Sequence, residues 1–259
     1  MIKNNMSATK KVVVAMSGGV DSSVVAAILA TEGYDVTGMM LRLWSEEGVN
    51  RSNRCCTPDS MALARRVAAQ FGIPFYVIDV KDKFHDIVVQ PFIDAYVRGV
   101  TPNPCLFCNK SIRWGLLMTY AREFGADFMA TGHYVRLTKN ENGEMELWKG
   151  IDPGKDQSYV LSVLSQDQLA HSLFPLGAYQ KSEVREKARE YHLPVSDRPD
   201  SQDLCFLSDG DYRRFLGANA NGMINPGPII NLDGEILGTH DGLAYYTIGQ
   251  RKGIRISSP

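Results

Sequence analysis

Five cysteines are the side chains of this 259-residue sequence with the most distinctive chemistry. Cys108 and Cys205 follow polar, turn-prone residues, in Pro-Asn-Pro-Cys-Leu-Phe-Cys and Asp-Ser-Gln-Asp-Leu-Cys-Phe respectively. Because structural cysteines are usually buried in apolar strands or helices, both segments indicate accessible thiols at loop edges. An odd number of cysteines in a chain of this size also favours reactive or metal-binding thiols over a disulfide framework.

The Cys105-x-x-Cys108 pair alone has three interpretations: half of a zinc site, a redox pair, or a thiol used in catalysis. Cys55 and Cys56 could supply two more zinc ligands, but adjacent cysteines lack the usual spacing and no histidine lies at a matching interval. The sequence favours catalysis by two cysteines. A structural zinc site and a purely structural role for all five remain the alternatives.

A second chemical motif runs from Lys11 to Ser23. Val12–Ala15 predicts a buried strand, Ser17-Gly18-Gly19 a turn, and Ser22–Ala30 a helix. The free N–H groups of such a turn and the positive end of the helix dipole form an anion site. Because glycine has no Cβ, phosphates can approach the backbone of this turn closely. The common loop G-x-x-x-x-G-K-[ST] is absent, and a carboxylate at Asp21 makes sense beside phosphates chiefly if Mg²⁺ lies between them. An ordinary tight turn is the alternative interpretation.

Alternating strands and helices must position these motifs. Beyond the first strand and helix, the sequence predicts strands at Asp35–Leu41, Pro74–Val80 and Asp127–Ala130 and helices at Asp59–Gln70 (with Asp59 as N-cap), Lys83–Val97 and Asn109–Phe124. The alternation predicts an α/β fold with a doubly wound parallel sheet, in which ligands bind at the carboxyl ends of the strands. The turn after Met16, Leu41 and Gly132 all fall on that edge, whereas Arg42–Pro58 holds no periodic pattern and predicts a mobile loop.

Three domains are predicted along the chain. Residues 1–133 form the nucleotide-binding domain, and residues 134–222 form a smaller, mostly helical domain that opens with a β-hairpin. Residues 223–259 begin a β domain. The elements predicted in the later parts are the hairpin strands Tyr134–Leu137 and Glu144–Lys149, helices at Val160–Leu169 and Lys181–Tyr191, and two strands within Gly227–Asp241.

The composition is that of an ordinary globular protein, with 44% hydrophobic and 22% charged residues. The net charge is −1, so any RNA-binding face must be local. The sequence contains no apolar run near 18 residues, and the polar residues 1–10 are followed by no signal-peptide core. We therefore expect a cytoplasmic protein.

Five segments together are similar to the tRNA-specific 2-thiouridylase family (the bacterial MnmA/TrmU type), within the PP-loop or N-type ATP pyrophosphatases. They occur in order between about Lys11 and Gly253, and are Ala15–Ser22, Thr101–Lys110, Ala130–Tyr134, Lys155–Tyr159 and Ser201–Phe206. The resemblance implies an adenine nucleotide alpha hydrolase-like sheet and an ATP-dependent sulfur transfer to the C2 position of the wobble uridine of tRNAs of the Lys, Glu and Gln type.

The resemblance also implies residue roles. Cys205 would carry a persulfide whose terminal sulfur attacks C2, and Cys108 would release that sulfur as a Cys108–Cys205 disulfide forms. Asp21 would hold Mg²⁺. ATP would be bound by Ala15, Met16, Ser17, Gly18, Gly19, Val20, Asp21, Ser22, Leu41 and Gly132, and tRNA by Asn103, Pro104, Cys105, His133, Lys155, Asp156 and Gln157. A helix-start role for Asp156 and a core role for His133 are the alternatives. The implied partners are tRNA and a cysteine desulfurase or sulfur-carrier protein.

The sequence departs from the family at two places. Some members have an aspartate, proposed as a general acid or base, where this chain has Cys105, so that role is open here. The family continues beyond Thr247–Gly253 with a β-barrel, of which this sequence holds only the start, and we expect tRNA affinity to suffer most from that. A non-catalytic, ATP-gated tRNA-binding protein, or thiolation of another tRNA position, are the alternative functions.

Overall fold

A computed structural model describes residues 9–46, 57–200, 204–207, 209–220, 222–254 and 256. Its strands are β1 (Lys11–Ala15), β2 (Asp35–Arg42), β3 (Phe75–Asp79), β4 (Phe128–Ala130), β5 (Val135–Lys139), β6 (Met145–Lys149), β7 (Ser172–Leu173), β8 (Gly227–Ile230) and β9 (Ile236–His240). Its α-helices are α1 (Val20–Thr31), α2 (Pro58–Gln70), α3 (Lys81–Phe84), α4 (Gln90–Val97), α5 (Pro104–Phe107), α6 (Met118–Glu123), α7 (Ser158–Leu161), α8 (Gln166–Ala170), α9 (Lys181–Glu190) and α10 (Tyr212–Asn219).

The predicted parallel sheet is confirmed. Five strands pair in the order β3-β2-β1-β4-β7, all parallel, with β1 in the centre. Val12 and Val14 pack with α1, α2 and α9 on one face, while Val13 packs with Trp114 and Leu117 on the other. Because alternate side chains of a strand point to opposite faces, covering both faces requires an apolar run, which β1 has.

The start of α2 differs from the sequence-based expectation. Its N-cap is Thr57, not Asp59, because Oγ1 of Thr57 accepts a hydrogen bond from the backbone N–H of Ser60 at 3.1 Å. Asp59 lies in the first turn, where its charge interacts favourably with the helix dipole. The expected loop Arg42–Pro58 is shorter, since β2 includes Arg42 and α2 includes Pro58, and its residues 47–56 lie outside the described ones.

The placement of Cys108 at a loop edge was wrong. A continuous helix runs from Pro104 to Glu123, through α5, a π-helical stretch (Cys108–Leu117) and α6. Oδ1 of Asn103 caps it by accepting the backbone N–H of Cys105 at 3.1 Å. An Asn-Pro pair is a favoured helix start, so the helix begins five residues earlier than expected. Cys205 does lie in a turn.

Beyond β4 the chain forms smaller elements. The expected hairpins are confirmed as the antiparallel pairs β5–β6 and β8–β9. The expected helix Val160–Leu169 is instead two short helices, because a capping box at Ser165 starts α8 anew. The missed strand β7 extends the main sheet. A π-helical stretch at His85–Val89 joins α3 to α4, and 3-10 turns form at Pro175–Ala178 and Leu243–Tyr245.

An aromatic cluster supports the segment around Cys205. Phe84, Phe92, Phe206 and Phe215 are buried and meet edge to face, at ring-centroid distances of 5.2–6.1 Å. Such pairs contribute beyond the area that they bury. Cys205, which directly precedes Phe206, packs against this cluster, so the cluster fixes the position of the cysteine. Among the described residues, no helix is both long enough and apolar enough to cross a membrane.

Candidate active site

A cavity of about 280 Å³ opens at the carboxyl ends of β1, β2 and β4. From β1 the chain continues to β2 and β3 on one side of it and then to β4 on the other side. The cavity therefore lies at the point where the strand order reverses, which is where α/β proteins bind ligands. The sequence-predicted residues that line it are Ala15, Met16, Ser17, Gly19, Val20, Asp21, Ser22, Leu41, Cys108, Gly132, His133, Lys155, Gln157 and Cys205.

The loop between β1 and α1 is held in shape by its own serines. The backbone N–H of Ser17 donates to Oγ of Ser22 at 3.1 Å, and Oγ of Ser23 donates to the Gly19 carbonyl at 2.8 Å. Within the described part of the chain, no side chain caps the N-terminus of α1 after Gly19. Helix-end N–H groups and the positive end of the dipole are thus available for an anion.

Gly18 does not line the cavity but packs on the far side of the loop. Its φ is +73°, and a Cβ there would lie 2.2 Å from the carbonyl oxygen of Ser60 on α2. Arg198 braces the same contact, donating to the Gly18 carbonyl at 2.9 Å and to Oγ of Ser60 at 2.8 Å. The loop is therefore pressed against α2 at a point where only glycine fits.

Asp21, in the first turn of α1, is the carboxylate at the base of the cavity. Its Oδ1 accepts hydrogen bonds from the Tyr134 hydroxyl at 2.8 Å and from Nζ of Lys181 at 2.6 Å. Burial, followed by the charge of Asp21, raises the pKa of Tyr134 far above its usual range, so the phenol remains a donor. Gly132 packs on this turn, since a Cβ would lie 3.0 Å from that of Asp21.

Asp200, which also lines the cavity, forms ion pairs with three basic side chains. Its carboxylate accepts from Lys155 at 2.7 Å, from Lys181 at 3.0 Å and from Arg185 at 2.6 Å. Burial by itself raises the pKa of Asp200, but hydrogen bonds from Lys155 and Lys181 outweigh it and lower the pKa to about 2. Asp200 is therefore ionised at neutral pH, and Lys181 links it to Asp21.

The two candidate catalytic thiols meet at this cavity. Cys108, on the helix that begins at Pro104, and Cys205, in the turn before α10, both line it and both pack at the edge of the aromatic cluster. In this structure Cys105, Cys108 and Cys205 are thiols. The two cysteines come from segments far apart in the sequence, so only the tertiary fold brings them to the same cavity as the loop between β1 and α1 (the phosphate loop below).

His133 is a buried neutral histidine that orients Arg113. Nη1 of Arg113 donates to Nε2 of His133 at 2.9 Å, which leaves the proton on Nδ1, 2.7 Å from Oγ1 of Thr131. Burial, then the charge of Arg113, lowers the pKa of His133 well below its usual value. Arg113 also donates to Oδ1 of Asn109 at 3.1 Å. The pairing places a guanidinium on the cavity wall near Cys108.

In the segment Lys155-Asp156-Gln157, the outer two residues face the cavity and the middle one stabilises the turn. Lys155 and Gln157 line the cavity, and Gln157 Oε1 accepts the backbone N–H of Tyr134 at 3.2 Å. The Asp156 carboxylate faces its own turn, accepting from the N–H of Gly150 at 3.1 Å and from Oγ of Ser158 at 2.9 Å. Asp156 therefore shapes the segment that presents its two neighbours.

Asn103, Pro104 and Cys105 lie at the start of the Cys108 helix, outside the cavity lining. Cys105 is exposed. Partial burial of its thiol raises its pKa, and the charge of Arg113 acts in the opposite direction. In the described part of the chain, no three His, Cys, Asp or Glu side chains cluster as metal ligands, and Cys55 and Cys56 lie outside that part.

Sequence reasoning missed three charged residues of the site, namely Arg113, Lys181 and Asp200. Asp200 directly precedes the Ser201-Gln202-Asp203 motif, and Arg113 lies one turn beyond Asn109. Lys181 is the first residue of α9, where a positive charge opposes the helix dipole. That unfavourable position was the available signal that Lys181 has a partner elsewhere.

Two family models match the chain. The model described as tRNA methyl transferase HUP domain covers residues 10–209, and the tRNA methyl transferase PRC-barrel domain covers residues 213–259. A tRNA-specific 2-thiouridylase MnmA of Geotalea uraniireducens is 47% identical over the whole of this chain and 70% of its own length. One of Chloroflexus aurantiacus is 49% identical over 94% of this chain and 68% of its own length.

One solved structure illustrates the more distant matches. The U34-tRNA thiolase NcsA from Methanococcus maripaludis, with its [4Fe-4S] cluster, is 21% identical, with a TM-score of 0.47. The match covers 83% of this chain and 67% of that one. A likeness at this level supports no conclusion about the site.

Replacing Gly18 by alanine is expected to destabilise the protein by at least about 2 kcal/mol, because the left-handed backbone and the Ser60 carbonyl both oppose a Cβ. Gly19→Ala is the matched control. Its φ is −91° and the Cβ would meet only the Ser17 side chain, at 3.4 Å, so we expect a cost of about 1 kcal/mol or less. Urea unfolding measures both; equal costs would contradict the close packing of the loop on α2.

The ion pairs of Asp200 are expected to stabilise the fold in a pH-dependent way. The folded pKa of about 2 lies below the unfolded value of about 3.9, so this stability is complete above pH 3.9 and is lost as pH falls towards 2. Asp200→Asn should therefore lower the free energy of unfolding at pH 7, with the difference from the parent shrinking below pH 4. The exposed Asp197→Asn is the control; a difference independent of pH would refute the assignment.

Proposed function

The chain belongs to the tRNA-specific 2-thiouridylase family, and we propose that it is an ATP-dependent enzyme that replaces the C2 oxygen of a tRNA uridine by sulfur. The target in this proposal is the wobble uridine of tRNAs of the Lys, Glu and Gln type. The observation that supports it best is the shared cavity, in which Cys108 and Cys205 lie with the phosphate loop.

The first step in the proposal activates the uracil oxygen. The C2 oxygen attacks the α-phosphorus of ATP, the bond to the β-phosphate breaks, and pyrophosphate leaves. A carbonyl oxygen is a poor leaving group, whereas the adenylated oxygen departs as AMP. The N–H groups at the start of α1, together with its dipole, suit the negative charge on the departing pyrophosphate.

The second step transfers sulfur. The terminal sulfur of a Cys205 persulfide attacks C2, and AMP leaves with the former C2 oxygen. The thiolate of Cys108, its proton lost to solvent, then attacks the sulfur of Cys205. The bond from Cys205 to the transferred sulfur breaks, giving the 2-thiocarbonyl and a Cys108–Cys205 disulfide. An external dithiol reductant returns both cysteines to thiols.

Asp21 is our candidate ligand for Mg²⁺. One carboxylate together with phosphate oxygens is a donor set that Mg²⁺ commonly uses, and Asp21 stands beside the anion-binding loop. When bound, the ion would neutralise charge on the phosphates as pyrophosphate departs. Tyr134 keeps the Asp21 carboxylate oriented towards the cavity through its hydroxyl.

The tRNA contacts in the proposal lie around the cavity mouth. Lys155 and Gln157 line it, positioned by Asp156. His133 acts through Arg113, while Asn103 and Pro104 form the start of the helix that carries Cys105 and Cys108. The raised pKa of the Cys105 thiol keeps it protonated at neutral pH, which suits a proton donor better than a base.

The sulfur donor in the proposal is a protein that carries a persulfide, either a cysteine desulfurase or a sulfur carrier. A persulfide delivers sulfur at the oxidation level that Cys205 needs for the transfer, whereas sulfide would need a two-electron oxidant to form the Cys205 persulfide. Because each turnover ends in a disulfide that must be reduced, the proposed compartment is the reducing cytoplasm.

The decisive experiment is incorporation of labelled sulfur into unmodified tRNA, with ATP, Mg²⁺ and a persulfide donor, followed by nucleoside analysis. We expect label at uridine C2 in the parent protein and a loss of at least about 1,000-fold in Cys205→Ser and Cys108→Ser, because each removes a reacting atom. Cys105→Ser, which keeps Cys108 and Cys205, is expected to reduce the rate far less.

Three other outcomes would contradict the proposal. Label at another position would indicate thiolation elsewhere in the tRNA. ATP-dependent tRNA binding without label would indicate a binding protein rather than an enzyme. Label retained in Cys205→Ser would remove the assigned persulfide residue.

A further inference from the structure

The phosphate loop contains no lysine, although nucleotide loops commonly use one to bind phosphates. We propose that Lys181, from α9, supplies this positive charge and donates to a phosphate oxygen of bound ATP. The inference rests on the proposed ATP-dependent function and adds a nucleotide-binding residue to it. Lys181 belongs to none of the motifs that identified the site from the sequence.

The first argument is where the ammonium group lies. Nζ of Lys181 is 2.6 Å from Oδ1 of Asp21 and 3.0 Å from Oδ1 of Asp200, and it lies over the ring of Tyr134 at 5.8 Å from the centroid. The side chain lines the cavity and is only 12% exposed. A long, flexible side chain is thus already held beside the anion-binding loop, which lowers the entropic cost of binding a phosphate.

The second argument is the balance of charge around it. Lys155, Lys181 and Arg185 pair with the carboxylates of Asp21 and Asp200, and a third carboxylate, that of Asp152, accepts the backbone N–H of Lys181 at 3.0 Å, so the network as it stands is balanced in charge. Lys155 and Arg185 already pair with Asp200, so Asp200 does not depend on Lys181 for its charge balance. If Mg²⁺ takes the place of Lys181 on Asp21, the ammonium group loses one carboxylate, and a phosphate oxygen of a polyphosphate bound at the neighbouring loop replaces it.

The third argument is the position of Lys181 on its own helix. It is the first residue of α9, where a cation interacts unfavourably with the dipole. The Glu183 carboxylate already accepts the backbone N–H of Gln180 at 2.6 Å at the start of this helix. Helix stability therefore does not account for a lysine at this position, whereas its contacts in the cavity, with Asp21 and Asp200 and in our proposal with a phosphate, do.

These contacts imply an exchange when ATP binds with Mg²⁺. In the structure Lys181 neutralises the Asp21 carboxylate that Mg²⁺ would need. Transfer of Nζ from Asp21 to a phosphate oxygen leaves that carboxylate for the cation, while Asp200 continues to hold the lysine. The bound phosphate and Asp200 would then be connected through one side chain, that of Lys181.

The test is direct binding of Mg·ATP and of adenosine, by calorimetry and by ligand-observed NMR, to the parent protein and to Lys181→Met, Lys181→Arg and Lys187→Met. We expect Lys181→Met to weaken ATP binding by about 10- to 100-fold, the range for a lost charge-assisted hydrogen bond, with adenosine affinity unchanged. Lys181→Arg should recover most of the loss. Lys187→Met makes the same change on the same helix away from the cavity and should bind like the parent.

Equal losses of ATP and adenosine affinity in Lys181→Met would overturn the inference, because a purely structural lysine would disturb the whole pocket. Unchanged ATP affinity would overturn it as well. A parent protein that binds no ATP would refute the proposed function and the inference with it. ATP binding by the parent together with an unaffected Lys181→Met would refute the inference alone.

Discussion

The site depends on the ion pair between Asp21 and Lys181. Asp21 stands at the positive end of α1, where a carboxylate is favoured, whereas Lys181 stands at the positive end of α9, where a cation is disfavoured, and the carboxylate of Asp21 offsets that cost. Tyr134 and Asp200 hold the pair from either side. This contact between residues far apart in the sequence connects the start of α1 to the start of α9.

The sheet order explains why the loop after β1 and the two cysteines line the same cavity. With β1 central and β4 beside it, the loop after β1 and the residues after β4 share an edge. The helix that begins at Pro104 brings Cys108 to that edge, and Cys205 packs against the aromatic cluster and lines the same cavity. The loop after β1 and both cysteines thereby line one cavity of about 280 Å³.

Local sequence patterns predicted the parts of the site that depend on interactions between residues close together in the sequence. The run Val12–Ala15 and the glycines after it were sufficient for a strand, a turn and a helix start, and the alternation of elements was sufficient for a parallel sheet. The helix around Cys108 was misplaced because Asn103-Pro104 was interpreted as a break rather than a cap. Lys181 and Asp200 were missed because their roles exist only after distant segments pack together, and β7 was too short for any periodicity.

The most direct test of the account asks whether the two thiols react with each other during one turnover. The protein, loaded with persulfide sulfur, is mixed with tRNA, ATP and Mg²⁺ without reductant, quenched by acid and alkylation, and mapped by peptide mass spectrometry. The account predicts a disulfide between Cys108 and Cys205 in an amount equal to the thiouridine formed, and none when ATP is omitted. Thiouridine formed while both cysteines remain alkylatable would contradict it.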